Sequence, residues 1–134
     1  MNILLVCDGN TCRSVMAEAL GKQRFPGHRW RSRGLAVVPG SPTVQHTAVA
    51  LGDMNEHVEN QVPTLVTATD VEWADAVYAM TTRHVEELAQ RFKTAAIRLD
   101  EQSDVADPFG GDPARYRRSL DHIEQAMLER FTAP

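Results

Sequence analysis

The sequence predicts an α/β fold with a small parallel sheet in a single domain, 1–134. Two observations carry that prediction. Short apolar runs and helix-patterned stretches alternate four times along the chain, as repeated strand–helix–strand units require. The first apolar run, Ile3-Leu4-Leu5-Val6, is apolar on both faces, which suits a strand buried in the middle of a parallel sheet. With 134 residues the chain can build one real core but not two.

The first strand spans residues 2–6. Cys7-Asp8-Gly9-Asn10-Thr11-Cys12-Arg13 then turns the chain into a helix over 14–24, which buries Met16, Ala17, Ala19 and Leu20 and stops at Phe25-Pro26-Gly27. A second, less apolar strand over 30–32 reads as a sheet edge. A loop over 34–42 is punctuated by Pro39-Gly40 and Ser41-Pro42. The next helix covers 43–52, with Val44, Ala48 and Leu51 on one face. Residues 54–66 are polar and irregular, with Pro63 inside them. Thr67-Ala68-Thr69-Asp70 reads as a capped helical turn leading to Trp73. A third strand over 76–80, a helix over 82–92 and a fourth strand over 95–99 follow. After a loop of about a dozen residues, long enough to suggest function, Asp112-Pro113 caps a final helix striped by Leu120, Ile123, Met127 and Phe131.

Composition excludes several classes. The net charge is −4, which argues against nucleic acid or an anionic membrane as partner. The basic run Arg115-Tyr116-Arg117-Arg118 reads as a solvated helix face. No apolar stretch reaches membrane-spanning length, and the N-terminus lacks a signal peptide's charged start. Two cysteines are too few for a disulfide scaffold and fit functional thiols in the cytoplasm. Cys7 and Cys12 lack a second ligand pair, and His28, His46, His57, His84 and His122 are scattered, so neither metal nor other cofactor is expected.

The chemistry concentrates in Cys7 to Ser14. A strand, a Gly/Asn turn and a helix N-terminus together offer unpaired backbone N–H groups and a favourable dipole to a tetrahedral oxyanion such as phosphate. Cys7 beside a helix N-terminus and Arg13 is expected to have its pKa lowered, making a nucleophilic thiolate that Ser14 can stabilise by hydrogen bonding. Arg13 matches two phosphate oxygens with its planar fork. Gly9 admits the ligand closely, and Asn10 tolerates a left-handed backbone while tying the loop to its neighbours. With twelve arginines in the chain, Cys-x5-Arg alone arises by chance about one time in five. The added Gly-Asn, the serine and the strand–loop–helix setting are what make the signal specific.

Val6-Cys7-Asp8-Gly9-Asn10-Thr11-Cys12-Arg13-Ser14 closely resembles the signature of the low-molecular-weight protein-tyrosine phosphatases. Asp107-Pro108-Phe109 resembles their general-acid loop, and Ser32-x-Gly34 and Ala74-Asp75…Ala79-Met80-Thr81 resemble intermediate landmarks. The resemblance implies a four-stranded parallel sheet in the order 2-1-3-4 with helices on both faces, no metal, and a monomer or weak dimer acting on phosphorylated proteins. It implies a phosphocysteine on Cys7, with Arg13 and the loop amides of residues 8–14 holding the phosphate and Asp107 as acid and then base. Asn10, Ser14 and Ser32 would support the loop. Cys12 would either trap oxidised Cys7 as a disulfide or simply pack. Val15 stands where the family usually has proline, and Gln61 where many members carry a supporting histidine. Asp8 would either point away or meet a cationic part of the substrate.

Thr11 and the run Phe109-Gly110-Gly111, where tyrosine-directed members carry a larger aliphatic residue and tyrosines, resemble the bacterial protein-arginine phosphatase branch. Phosphotyrosine and phosphoarginine both remain open substrates. A non-hydrolytic phosphocarrier and an arsenate-reductase-like protein are the alternatives. The first needs no general acid, and the second needs cysteines beyond Cys12.

Overall fold

A computed structural model describes residues 1–38 and 44–131, with the side chain of Val44 outside that set. The predicted loop punctuation at Pro39-Gly40 and Ser41-Pro42 and the predicted helix start at Thr43 lie outside the described residues. Four parallel strands form one sheet in the order β2-β1-β3-β4. They are β1 (Asn2–Cys7), β2 (Arg29–Gly34), β3 (Ala76–Ala79) and β4 (Ile97–Arg98). The helices are α1 (Arg13–Arg24), α2 (Val44–Leu51), α3 (Ala68–Trp73), α4 (Thr82–Phe92) and α5 (Pro113–Phe131).

The alternation of β1 explains both faces of the sheet. Ile3, Leu5 and Cys7 enter one core with Met16, Ala19 and Leu20 of α1 and Leu120, Ile123 and Met127 of α5. Leu4 and Val6 enter the other with Val77, Ala79 and Leu88, flanked by Val71, Trp73, Val85 and Phe92 of α3 and α4. The α1 helix is more deeply enclosed than its apolar stripe predicts, since every residue from Arg13 to Gly21 is buried. A β-carbon on Gly21 would sit 2.3 Å from the Trp30 ring, so helix and edge strand touch backbone to indole.

Caps behave as the sequence predicts. Thr67 and Asp70 form a reciprocal capping box on α3, and Asp112 Oδ1 accepts from the Arg115 amide at 3.0 Å. Asp70 also receives Arg31 and Arg33 from β2, at 3.0 and 3.2 Å, locking α3 to the sheet edge. In the basic run Arg115, Arg117 and Arg118 are exposed, while Tyr116 is buried.

Several element ends move by one residue, and larger differences fall at β2, β4 and the stretch after α2. β2 is six residues long because it follows β1 in register from Arg29 opposite Asn2 to Gly34 opposite Cys7. β4 shrinks to two residues because only Tyr78 and Ala79 are opposite it. A 3-10 helix, Gly52–His57, runs into the stretch 54–66 read as irregular, which returns to the sheet where Leu65 bridges Gly34. Among the described residues no helix is long and apolar enough to cross a membrane.

Candidate active site

The site lies beyond the carboxyl ends of the strands, where parallel α/β sheets present their ligands. Cys7 ends β1 and Cys12 caps α1, so the loop between them spans strand end and helix start. No side chain caps α1, leaving its first amides to the loop. The Leu35 and Ala36 amides clamp the carbonyls of Cys7 and Asp8, each at 2.9 Å. Gly34 is required there, since a β-carbon would sit 2.5 Å from the Asp8 carbonyl oxygen. A β-carbon on Gly9 would meet only Thr11 Oγ1 at 3.5 Å, so the protein alone leaves that side of the loop open.

Asn10 is the loop's hub, left-handed at φ 54° as its type allows. Its Nδ2 donates to Ser14 Oγ at 2.9 Å and to Ser32 Oγ at 3.0 Å. Its Oδ1 accepts the Thr64 amide at 2.9 Å. Because Ser14 Oγ accepts from Asn10, its own proton is free to point at Cys7 Sγ, 3.0 Å away. Ser32 Oγ donates to buried Glu18 at 2.5 Å, and Lys22 pairs with Glu18 at 2.7 Å. The Gln61 side-chain amide packs against Asn10 and Ser32, so glutamine closes the network where a histidine was absent.

Cys7 departs from expectation. Burial pushes its thiol pKa up, against the opposing pull of Arg13, the Ser14 hydroxyl and the amides of Ser14 and Asn10. The lowered pKa expected from sequence counted the helix end and the arginine but not the desolvation of a sulfur fully inside the core. Cys12 is also buried and free, with Thr11 Oγ1 at 3.5 Å and the Tyr116 hydroxyl at 3.9 Å from its sulfur.

Arg13 connects the loop to the other end of the chain. Nη1 donates to the Val105 carbonyl at 3.0 Å, while Nη2 lies 3.5 Å from Asp107 Oδ2 and 3.4 Å from Asp8 Oδ2. Its Nε is buried without a partner among the described residues, a donor well placed for an anion. The Val105 amide bonds the Met80 carbonyl past β3, and Ser119 of α5 donates to the Ala106 carbonyl at 3.1 Å. Asp107 is therefore brought to Cys7's loop from 100 residues away in sequence, with its side chain 47% exposed. Phe109 follows, 59% exposed.

Asp8 lies beside the loop with its side chain 32% exposed and its Oδ2 turned to groups of this chain. Its Oδ2 is held by Arg83 Nη2 at 2.6 Å and His84 Nε2 at 3.2 Å. These donors hold its pKa down at about 2 despite burial, which acts the other way. Arg83, His84 and Thr47 were missed by sequence reasoning. His84 and Arg83 open the helix after β3, and that position beside a strand's carboxyl end was the available signal. Thr47 of α2 donates to the Thr11 carbonyl at 2.6 Å, and nothing in the local sequence marks it. Among the described residues no three metal-ligating side chains gather.

The profile of the family described as low molecular weight phosphotyrosine protein phosphatase matches residues 2–133. A protein-arginine-phosphatase of Geobacillus stearothermophilus is 34% identical over 96% of this chain and 92% of its own length. The low molecular weight protein-tyrosine-phosphatase PtpB of Staphylococcus aureus is 30% identical, over 96% of both chains. A solved structure of the YwlE arginine phosphatase, a C7S variant bearing a phosphorylated active-site serine, superposes with a TM-score of 0.83 and 33% identity, covering 98% of this chain and 97% of that one. The chain belongs to the low molecular weight phosphotyrosine protein phosphatase family and is a protein phosphatase.

Proposed function

We propose that this phosphatase acts on phosphoarginine in proteins through a phosphocysteine formed on Cys7. The observation that carries the choice is the small lining of the leaving-group side. Thr11 puts a small hydroxyl-bearing side chain 3.5 Å from where a Gly9 β-carbon would sit, and the acid loop offers one ring, Phe109, before Gly110-Gly111. The relative named a protein-arginine-phosphatase supports the same reading. Phosphotyrosine is the second reading, favoured by the exposed Phe109 ring and the PtpB relative.

In this mechanism the Cys7 thiolate attacks phosphorus while Arg13 Nε and Nη2 and the loop amides of residues 8–14 hold the equatorial oxygens. The bond from phosphorus to the leaving nitrogen breaks as protonated Asp107 gives that nitrogen its proton. Water then adds to phosphorus and loses a proton to the Asp107 carboxylate, and the S–P bond breaks to return the thiolate. A carrier without hydrolysis needs no acid, so the Asp107–Arg13 contact speaks for turnover. No cysteine follows Cys12 to serve an arsenate-reductase relay. Two free thiols suit a reducing compartment such as the cytoplasm.

Steady-state hydrolysis of phosphoarginine and phosphotyrosine peptides without metal tests the reading. Cys7→Ser should abolish turnover, and Asp107→Asn should lower kcat by about 10²-fold or more. A kcat/KM ratio favouring phosphoarginine is expected. A ratio favouring phosphotyrosine selects the second reading, and turnover indifferent to Cys7 overturns the phosphocysteine route.

A further inference from the structure

Asp8 poses an electrostatic problem for a phosphate site. Its carboxylate sits one residue from the proposed nucleophile, with Oδ2 only 3.4 Å from Arg13 Nη2. There it repels an incoming dianion and competes for a donor that the phosphoryl oxygens need. Asp107 already takes a place on the same nitrogen at 3.5 Å. Relief has to come from a cation that holds Asp8 from the other side.

His84 is poorly suited to that role. It is wholly buried, and burial together with the nearby Arg13 and Arg83 outweighs the pull of Asp8 and keeps its pKa low, so it serves as a neutral donor. Arg83 is suited. Its side chain is 62% exposed, so its charge costs little desolvation, and its Nη2 makes the shortest contact to Asp8 Oδ2, 2.6 Å. Glu87, one turn along α4, lies 3.6 Å from Arg83 Nη1 and steadies the side chain.

We propose that Arg83 is a positioning residue for oxyanion binding, drawing the Asp8 carboxylate toward α4 so that Arg13 keeps its fork for the substrate's phosphoryl oxygens. The inference rests on the reading of residues 7–14 as the phosphate loop. Arg83 acts through Asp8, not on the reacting atoms, so its effect belongs to anion affinity more than to the chemical step. Without Arg83, the fixed cation left beside Asp8 among the described residues is Arg13, and that pair tightens at the substrate's expense.

The test uses the full chain as wild type, Arg83→Ala, Arg83→Lys, Asp8→Asn and the Arg83→Ala/Asp8→Asn double variant. Hydrolysis of an aryl phosphate and its inhibition by inorganic phosphate are measured for each. Arg83→Ala should raise KM and the phosphate inhibition constant about tenfold, with kcat within about twofold. Arg83→Lys, which keeps the charge, should recover most of that loss. In the Asp8→Asn background, losing Arg83 should matter by less than about twofold, because no carboxylate remains to restrain. An equal loss in both backgrounds, a loss confined to kcat, or no loss at all would each overturn the proposal. Cys7→Ser separates the two readings: turnover independent of Cys7 removes the phosphate-loop reading itself. Cys7-dependent turnover with an unmoved phosphate inhibition constant removes only the role of Arg83.

Discussion

Cys7 must become an anion in a place where burial opposes charge, so each group that favours the thiolate matters more than it would at the surface. Ser14 is the neutral member of that set whose hydroxyl one substitution removes. Its hydroxyl is 3.0 Å from Sγ and is oriented by Asn10, which donates to the same oxygen. A hydrogen bond to a charged group contributes about 1.5–3 kcal/mol. Ser14→Ala should therefore move the pH midpoint of iodoacetamide inactivation upward and lower kcat about 10- to 100-fold at neutral pH. The sign follows from which form the bond stabilises: losing a donor to the thiolate favours the protonated thiol. An alkylation profile that stays in place would mean that the hydroxyl proton points elsewhere.

At the scale of elements, Gly21 is the place where local propensity and packing disagree. Glycine inside a helix costs about 1 kcal/mol relative to alanine, so helix propensity alone predicts that Gly21→Ala stabilises α1. The Trp30 ring occupies the space a β-carbon needs, with three of its carbons between 2.3 and 2.7 Å away. The indole is also fixed by its Nε1 bond to the Phe25 carbonyl at 3.0 Å, so it cannot simply swing aside. Overpacking of this kind costs about 1–3 kcal/mol. Gly21→Ala should lower the urea midpoint, and a raised midpoint would show that β2 yields. The same contrast explains which elements the sequence makes legible. The β1 run, the α3 capping box and the stripe of α5 carry their own signals in period and cap residues. The ends of β2 and β4 depend on how far a partner strand extends, and the 3-10 helix at Gly52–His57 depends on packing against α1; neither dependence is written locally. The candidate site divides likewise. Cys7, Asn10, Arg13 and Ser14 lie in one contiguous motif, and Asp107 carries a family pattern. Arg83, His84 and Thr47 act through contacts spanning 36 to 76 positions, which no motif in one stretch reveals.

The whole molecule's response to pH follows from groups whose proton affinity folding changes. His84 is held neutral by burial, with Arg13 and Arg83 reinforcing it and Asp8 opposing. An unfolded histidine takes a proton near pH 6.5. Below that value the unfolded chain binds a proton the native one refuses, and stability falls as pH drops toward the lowered native value. Asp8, Asp70 and Asp100 act lower on the scale. Their native pKa values lie below the usual carboxylate value, about 2 for Asp8, so their contribution is present above about pH 4 and is lost as pH falls through the native values. Cys7 closes the range from above. Its raised native pKa means that stability present below about pH 8.5 is lost as the unfolded thiol begins to ionise. Stability should therefore peak between about pH 7 and 8.5 and decline in two stages on acidification. Urea midpoints measured from pH 8 to pH 3 should begin to fall as pH drops below about 7 and should fall further below about 4. In His84→Gln the first decline should flatten while the second persists, whatever the variant's absolute stability. A wild-type midpoint constant from pH 7 to 5 would mean that the native site protonates His84 as readily as water does, with Asp8 outweighing burial and both arginines.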